Sequence, residues 1–168
     1  MKKIFAAVVA FSVTLGSAFS QGVFSANLNG VSELPPNSTG SIGTGSFALS
    51  GNTLSFSVSA LLLSTVPIDA GVYGPATPAQ IGPLIFDLGA PVLTPVGGNN
   101  FASYSGVASL TPAQVSQLVA NLDYVDILST AYPAGEIRGQ IVLLPEPSSV
   151  LLLGMGAGMF FLQRREKA

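Results

Sequence analysis

The sequence predicts a mainly β protein: an antiparallel β-sandwich of about seven or eight strands with one short helix, flanked by an N-terminal signal helix and a C-terminal transmembrane helix. Three observations predict it. Apolar and polar residues alternate with a period of two through much of residues 21–144, as in strands buried on one face. Gly, Asn and Pro punctuate those runs where turns are needed. Both ends of the 168-residue chain are apolar segments bordered by basic residues, unlike the Ser-, Gly-, Asn- and Thr-rich middle.

The first element is the leader. Met1-Lys2-Lys3 is basic, Ile4 to Leu15 is almost wholly apolar, and Ala18-Phe19-Ser20 ends in small residues. This is the pattern of a secretory signal peptide over residues 1–20, cut by signal peptidase before Gln21.

Residues 21–144 form one body of ordinary domain size, with no internal repeat. From Val23, the residues Phe24, Ala26 and Leu28 alternate with Ser25 and Asn27, which predicts a half-buried strand. Phe47-Ala48-Leu49-Ser50 and Thr53-Leu54-Ser55-Phe56 flank Gly51-Asn52. Gly in the first central position predicts a type II′ hairpin. Further strands are expected at Leu84 to Leu88, Ala102 to Leu110, Tyr124 to Leu128 and Ile137 to Leu143, with loops around Gly71 to Gly82 and Pro91 to Asn100. The helix starts at Thr111, with Pro112 at its first position and Gln114 completing a capping box. Val115, Leu118, Val119 and Leu122 fall on one face, and the helix is expected to end near Asn121.

Residues 145–168 form the tail. Pro145-Glu146-Pro147 precedes the apolar run Val150 to Leu162, and Arg164-Arg165-Glu166-Lys167 nearly closes the chain. Those 13 residues make about 20 Å of helix, short of the ~30 Å hydrocarbon core. The basic cluster belongs on the cytoplasmic side, which puts the body outside, in agreement with the leader. This order of parts resembles the PEP-CTERM sorting signal, carried here by Pro145, Glu146, Pro147, Arg164 and Arg165. The resemblance implies an exosortase-type processing enzyme as a partner, at least transient attachment to the membrane through the C-terminal helix, and delivery to the cell surface or extracellular matrix.

Composition excludes several functions. Arg138 is the only cation of the body, against Glu33, Asp69, Asp87, Asp123, Asp126 and Glu136, so a phosphate backbone would be repelled and nucleic acid is no partner. The chain has no Cys, hence no disulfides. It has no His, the usual general base and commonest transition-metal ligand. Without it the many serines have no activating base.

Phe24-Ser25-Ala26-Asn27-Leu28-Asn29-Gly30 with Glu33-Leu34-Pro35-Pro36 resembles the opening of a CHRD domain. Gly74-Pro75-Ala76, Gly82 to Leu88, Leu110 to Gln114, Tyr124-Val125 and Pro133 to Ile141 follow in the family's order. The resemblance covers Val23 to Leu143, and its most specific part is Gly135-Glu136-Ile137-Arg138-Gly139-Gln140. Relatives often carry a His-x-His pair and a further His, reminiscent of a copper site. Those positions here read Gly71, Tyr73 and Leu128, so no metal or cofactor is expected.

Candidate sites follow from the remaining charges. Glu136 and Arg138 share one face of the closing strand by spacing, and Glu33 to Arg138 is expected to be a structural ion pair. The four body aspartates match no calcium-loop spacing. Tyr73, Tyr104, Tyr124 and Tyr132 are read as core and rim residues or as a sugar-stacking platform. The functional expectation is an exported, non-enzymatic structural or interaction module of the bacterial envelope or extracellular matrix, with secreted polysaccharide or envelope proteins as partners. The alternative, a metal-binding or enzymatic domain with an unfamiliar site, is disfavoured by the missing His and Cys.

Overall fold

The computed structural model describes residues 21–96 and 99–145. The predicted signal peptide, the transmembrane segment, and Glu146, Pro147, Arg164 and Arg165 of the sorting motif lie outside these residues. Among the described residues no helix is long and apolar enough to cross a membrane.

The strands are β1 (Gln21–Asn29), β2 (Ile42–Ser50), β3 (Thr53–Leu63), β4 (Pro67–Tyr73), β5 (Leu84–Asp87), β6 (Val92–Val96), β7 (Asn99–Ser109), β8 (Tyr124–Ser129), β9 (Ile137–Gln140) and β10 (Val142–Leu143). A 3-10 turn at Gly30–Ser32 follows β1, and one α-helix, α1 (Pro112–Val119), joins β7 to β8.

These strands form a single sheet in the order β5-β4-β8-β9-β1-β2-β3-β7-β6, with β10 also paired to β1. Every pairing is antiparallel. Two separate sheets of a sandwich are therefore replaced by one sheet curled on itself. Its closure shows in the Phe56 and Phe86 rings, from β3 and β5, whose centroids are 5.5 Å apart. The enclosed core takes Phe24, Leu28, Phe47, Leu54 and Val58 from one half, and Ala70, Val72, Val125, Ile127 and Ile137 from the other. Alternation is strict in β2, where every second residue is buried.

The strand count exceeds expectation because β4 runs into the segment around Gly71 to Gly82 read as loop, β6 lies within the one around Pro91 to Asn100, and the strand expected at Ile137 to Leu143 is divided into β9 and β10. β4 begins at Pro67, and the first residue of a strand is a place where proline's missing N–H costs no ladder bond. β6 contains Pro95 and lies at one end of the strand order, where an edge strand tolerates it.

The predicted hairpin forms, with Gly51 at φ +60° and Ser50 opposite Thr53. In α1 both halves of the capping box are made: Gln114 Oε1 accepts from the Thr111 N–H at 2.8 Å. The helix buries Leu118 and rests Val115 on the core, but Val119 stays 42% exposed, so its apolar face is narrower than predicted. Asn121, in the left-handed region at φ 56°, turns the chain away, and its side-chain oxygen accepts from the Leu143 N–H at 2.8 Å.

β9 and β10 keep one register against β1, from Asn29 opposite Arg138 to Phe24 opposite Leu143. Together they form a closing strand interrupted at Ile141, whose N–H bonds instead to the Asp123 carbonyl at 2.8 Å. The Leu144 N–H donates to the Val23 carbonyl at 2.8 Å, so the chain leaves the domain beside the point where it begins.

Candidate functional site

The closing strand gathers the charged residues of the body. In register, Asp87 faces Gly71, Gly71 faces Asp126, Asp126 faces Arg138, and Arg138 faces Asn29, one row across β5, β4, β8, β9 and β1. The neighbouring row puts Tyr73 opposite Tyr124 and Tyr124 opposite Gln140. Val125 and Ile127 point into the core, so alternation sends Tyr124, Asp126 and Leu128 to the other face.

Arg138 is only 2% exposed. Its guanidinium carbon lies 3.5 Å from the centre of the Tyr124 ring, which in turn stacks on Tyr73 with centroids 5.6 Å apart. Its Nη2 donates to the Gln80 carbonyl at 2.6 Å and to that of Thr77 at 3.4 Å. Gln140 Nε2 donates to the carbonyls of Ala76 and Asn121, each at 2.9 Å, and the Gly82 N–H donates to the Tyr124 hydroxyl at 3.2 Å. Arg138, Gln140 and Tyr124 thus fasten the 74–83 loop over the sheet.

Glu136 is fully buried and serves a second loop. Its Oε1 accepts from the Ser41 hydroxyl at 2.5 Å, the Ser64 N–H at 2.7 Å and the Thr39 hydroxyl at 3.2 Å. Burial would raise this carboxyl, but donors from Ser129, Ser41 and Ser64 outweigh burial and hold it below the usual range. It is an ionised latch. Asn37 Nδ2 adds bonds to the carbonyls of Gly135 and Glu136 at 3.1 and 3.0 Å. The bulge near the end of β3, with Leu62 at φ 60°, brings the Leu62 carbonyl within 2.7 Å of the Ser41 hydroxyl, a competing acceptor for its single proton.

Glu33 is 3% exposed and sits over Gly135, where an added Cβ would come 2.7 Å from the Glu33 carboxyl carbon. Gly135 also has φ +129°, so both space and backbone require glycine. The partner of Glu33 is Asp126. Each keeps one buried oxygen without a hydrogen-bond partner, and each acts on the other's protonation, so that a proton on Glu33 would give Asp126 the donor it lacks. Burial, then the Asp126 charge and the bond to Asp126, push the Glu33 carboxyl far above the usual carboxylate range, with Arg138 opposing. Asp126 is also raised, by burial first, against the pull of Glu33 and Arg138. Asp123, buried beside Gly74, is pushed up to about 7 by burial alone.

Of the three residues expected to act together, then, the structure separates two functions. Glu136 and Arg138 go to different partners, and the guanidinium's hydrogen bonds run to carbonyls rather than to Glu33. Arg138 reaches Glu33 electrostatically, across Asp126. Sequence reading passed over Asp126, although its place in an alternating strand opposite Arg138 marks it once the β8–β9 register is known. A cleft of about 290 Å³ opens beside Arg138 and Gln140, between Asn27, Ser32, Pro78 and Val142; neither Glu33 nor Asp126 lines it.

Gly71, Tyr73 and Leu128 lie on the adjacent strands β4 and β8, on the face that carries Asp126. Among the described residues no three or more His, Cys, Asp or Glu side chains are grouped to hold a metal ion. Of the tyrosines, Tyr104 and Tyr124 are buried and Tyr73 and Tyr132 are half-buried.

The other half of the sheet presents a different surface. Ser25, Ser46, Ser57 and Ser105 form one cross-strand row over β1, β2, β3 and β7, and Asn27, Thr44, Ser59 and Ser103 form the next. An exposed row of Val23, Ala48, Ser55 and Val107 separates these from Ser50, Thr53 and Ser109. These rows contain no charged side chain.

Comparison with known proteins adds one finding. The family model described as CHRD domain matches residues 24–141. No curated protein and no solved structure matches the chain.

Proposed function

Because the chain belongs to the CHRD domain family, matched from Phe24 to Ile141, we propose that it is an exported, non-enzymatic interaction module of the envelope or extracellular matrix. The leader at residues 1–20 exports it, and the PEP-CTERM-like tail at residues 145–168 sorts it.

One observation carries this reading: Glu136 Oε1, the Arg138 guanidinium and Gln140 Nε2 fasten the 37–41, 62–64 and 74–83 segments to the sheet. The segment most specific to the family is thereby a brace. The surface left for a partner is the uncharged hydroxyl face of β1, β2, β3 and β7, which suits a neutral, hydroxyl-rich secreted polysaccharide: Ser and Thr both donate and accept, and no charge must be desolvated there.

The test is retention of the full chain on polysaccharide secreted by the producing cell, compared with a Ser57→Lys, Ser105→Lys double variant. Retention lost in the variant supports the reading; equal retention, or none in either, overturns it. For sorting, replacing Pro145, Glu146 and Pro147 by alanine should alter the mature mass and the location, and no change in either refutes the tail's role.

The Glu33 and Asp126 pair favours one other reading, an acid–base site, because two carboxyls sharing a proton have separated affinities for it. Its hallmark would be hydrolysis of the bound polymer that Glu33→Gln abolishes while retention persists.

A further inference from the structure

A second group of acids lies away from the closing strand. β4, the β5–β6 loop and β7 line an open cleft of about 330 Å³ whose polar groups are the exposed Asp69 and Asp87 and the buried Tyr104. Asp69 lies two residues before Gly71, which faces Asp87 across β4 and β5. The two aspartates are therefore diagonal neighbours, whose Cβ atoms in such a pair are less than about 7–8 Å apart, close enough for both carboxylates to reach one ion.

Each carboxylate is already oriented. Asp69 Oδ1 accepts from the Ala70 N–H at 2.9 Å, and Asp87 Oδ1 from the Gly89 N–H at 2.6 Å. Fixing one oxygen leaves the second free to face the cleft.

Tyr104 provides the independent observation. Its side chain is 2% exposed and lines this cleft, yet its hydroxyl has no hydrogen-bond partner. A buried hydroxyl without a partner costs free energy that a resident ligand or its water would recover.

Charge decides the class of ligand. The only base among the described residues, Arg138, is occupied by Gln80, Thr77 and Tyr124, so no described base neutralises the two carboxylates, which stand beside Pro67 and Pro91. At a share of ~30 Å³ per water, the cleft is too roomy for a bare ion and large enough for one with much of its hydration shell. Calcium takes only oxygen ligands, drawn together from carboxylates, carbonyls and waters in a flexible geometry.

We propose that this cleft binds a hard divalent cation of the calcium type, held by Asp69 and Asp87 beside the unpartnered Tyr104 hydroxyl. Asp69 and Asp87 share the sheet face of Asp126, and the site lies apart from the hydroxyl face and does not depend on the proposed partner.

Terbium, a luminescent calcium surrogate excited through nearby aromatic rings, tests it directly, since the chain has no Trp and only tyrosine can sensitise it. The purified full chain should give tyrosine-sensitised terbium emission that excess Ca²⁺ displaces. Asp69→Asn with Asp87→Asn should reduce that emission to the level of free terbium, while the circular dichroism stays unchanged. Tyr104→Phe should lower emission per bound ion, with Ca²⁺ affinity weakened several-fold. Absent emission, emission that the double Asn variant retains, or emission displaced by a neutral saccharide and not by Ca²⁺ would each overturn the proposal.

Discussion

Arg138 places its guanidinium carbon 3.5 Å over the ring of Tyr124, and this contact between neighbouring strands β8 and β9 anchors the loop above them. The stack continues into Tyr73, and the same guanidinium holds the carbonyls of Gln80 and Thr77. Arg138→Met keeps much of the volume but abandons those carbonyls and leaves Asp126 without its nearby cation. A loss of about 3 kcal/mol is expected, read as a lower urea midpoint with unchanged slope. Arg138→Lys should recover only part of it, since an ammonium cannot reproduce a planar group lying on the ring.

Buried acids give the domain an unusual pH profile. Glu33, Asp126 and Asp123 bind protons more tightly when folded than when unfolded. Their contribution is full below the unfolded carboxylate range, near pH 4, and is lost as pH rises through the folded values, which for Asp123 is about 7. Glu136 acts oppositely, losing its contribution as pH falls below that range. Stability should therefore peak in mildly acidic solution and decline by a few kcal/mol toward pH 9. Glu33→Gln should flatten the alkaline limb in thermal melts taken across pH; an unchanged limb would refute the shared proton.

Gly139 sets how closely the closing strand approaches β1. A Cβ there would collide with the Asn27 carbonyl and lie 2.7 Å from its carbon, a backbone group that cannot swing aside. Gly139→Ala is expected to cost about 3 kcal/mol, at the upper end for overpacking. Gly40→Ala, where a Cβ meets nothing within 4 Å, should change the unfolding midpoint little and serves as the control.

The Glu136 latch predicts a local effect. Glu136→Gln replaces an ionised acceptor of three donors by an amide that must place its own N–H groups beside other donors. About 2 kcal/mol should be lost, and amide exchange should accelerate in residues 37–41 and 62–64 before it does in β2 or β3.

Legibility followed the range of the interactions. Alternation exposed β1, the Gly51-Asn52 turn fixed β2 and β3, and Thr111 and Gln114 announced the helix, all within a few residues of chain. β4 and β6 were hidden by Pro67 and Pro95, whose harmlessness depends on where each stands in its strand or sheet. The curl of one sheet, in place of two, depends on pairings such as Asn29 with Arg138 that no local pattern encodes. Glu33, Glu136 and Arg138 stood out as charges in an almost uncharged body, but the sharing of a proton between Glu33 and Asp126 required the register of three distant segments. The grouping of Asp69, Asp87 and Tyr104 likewise requires the fold, for β4 and β7 are far apart in the chain.

The pairing of β10 with β1 also governs how the domain bears force. Because the two ends of the described body emerge side by side, tension applied between Gln21 and Leu144 would act across the β1–β10 pair and open it one hydrogen bond at a time, as a zipper opens, leaving the curled sheet intact. Tension applied at the C-terminal end of the body alone runs through Leu144 and the closing strand, straight into the braces of Arg138 and Glu136. The brace is therefore also the point at which traction from outside the domain is received.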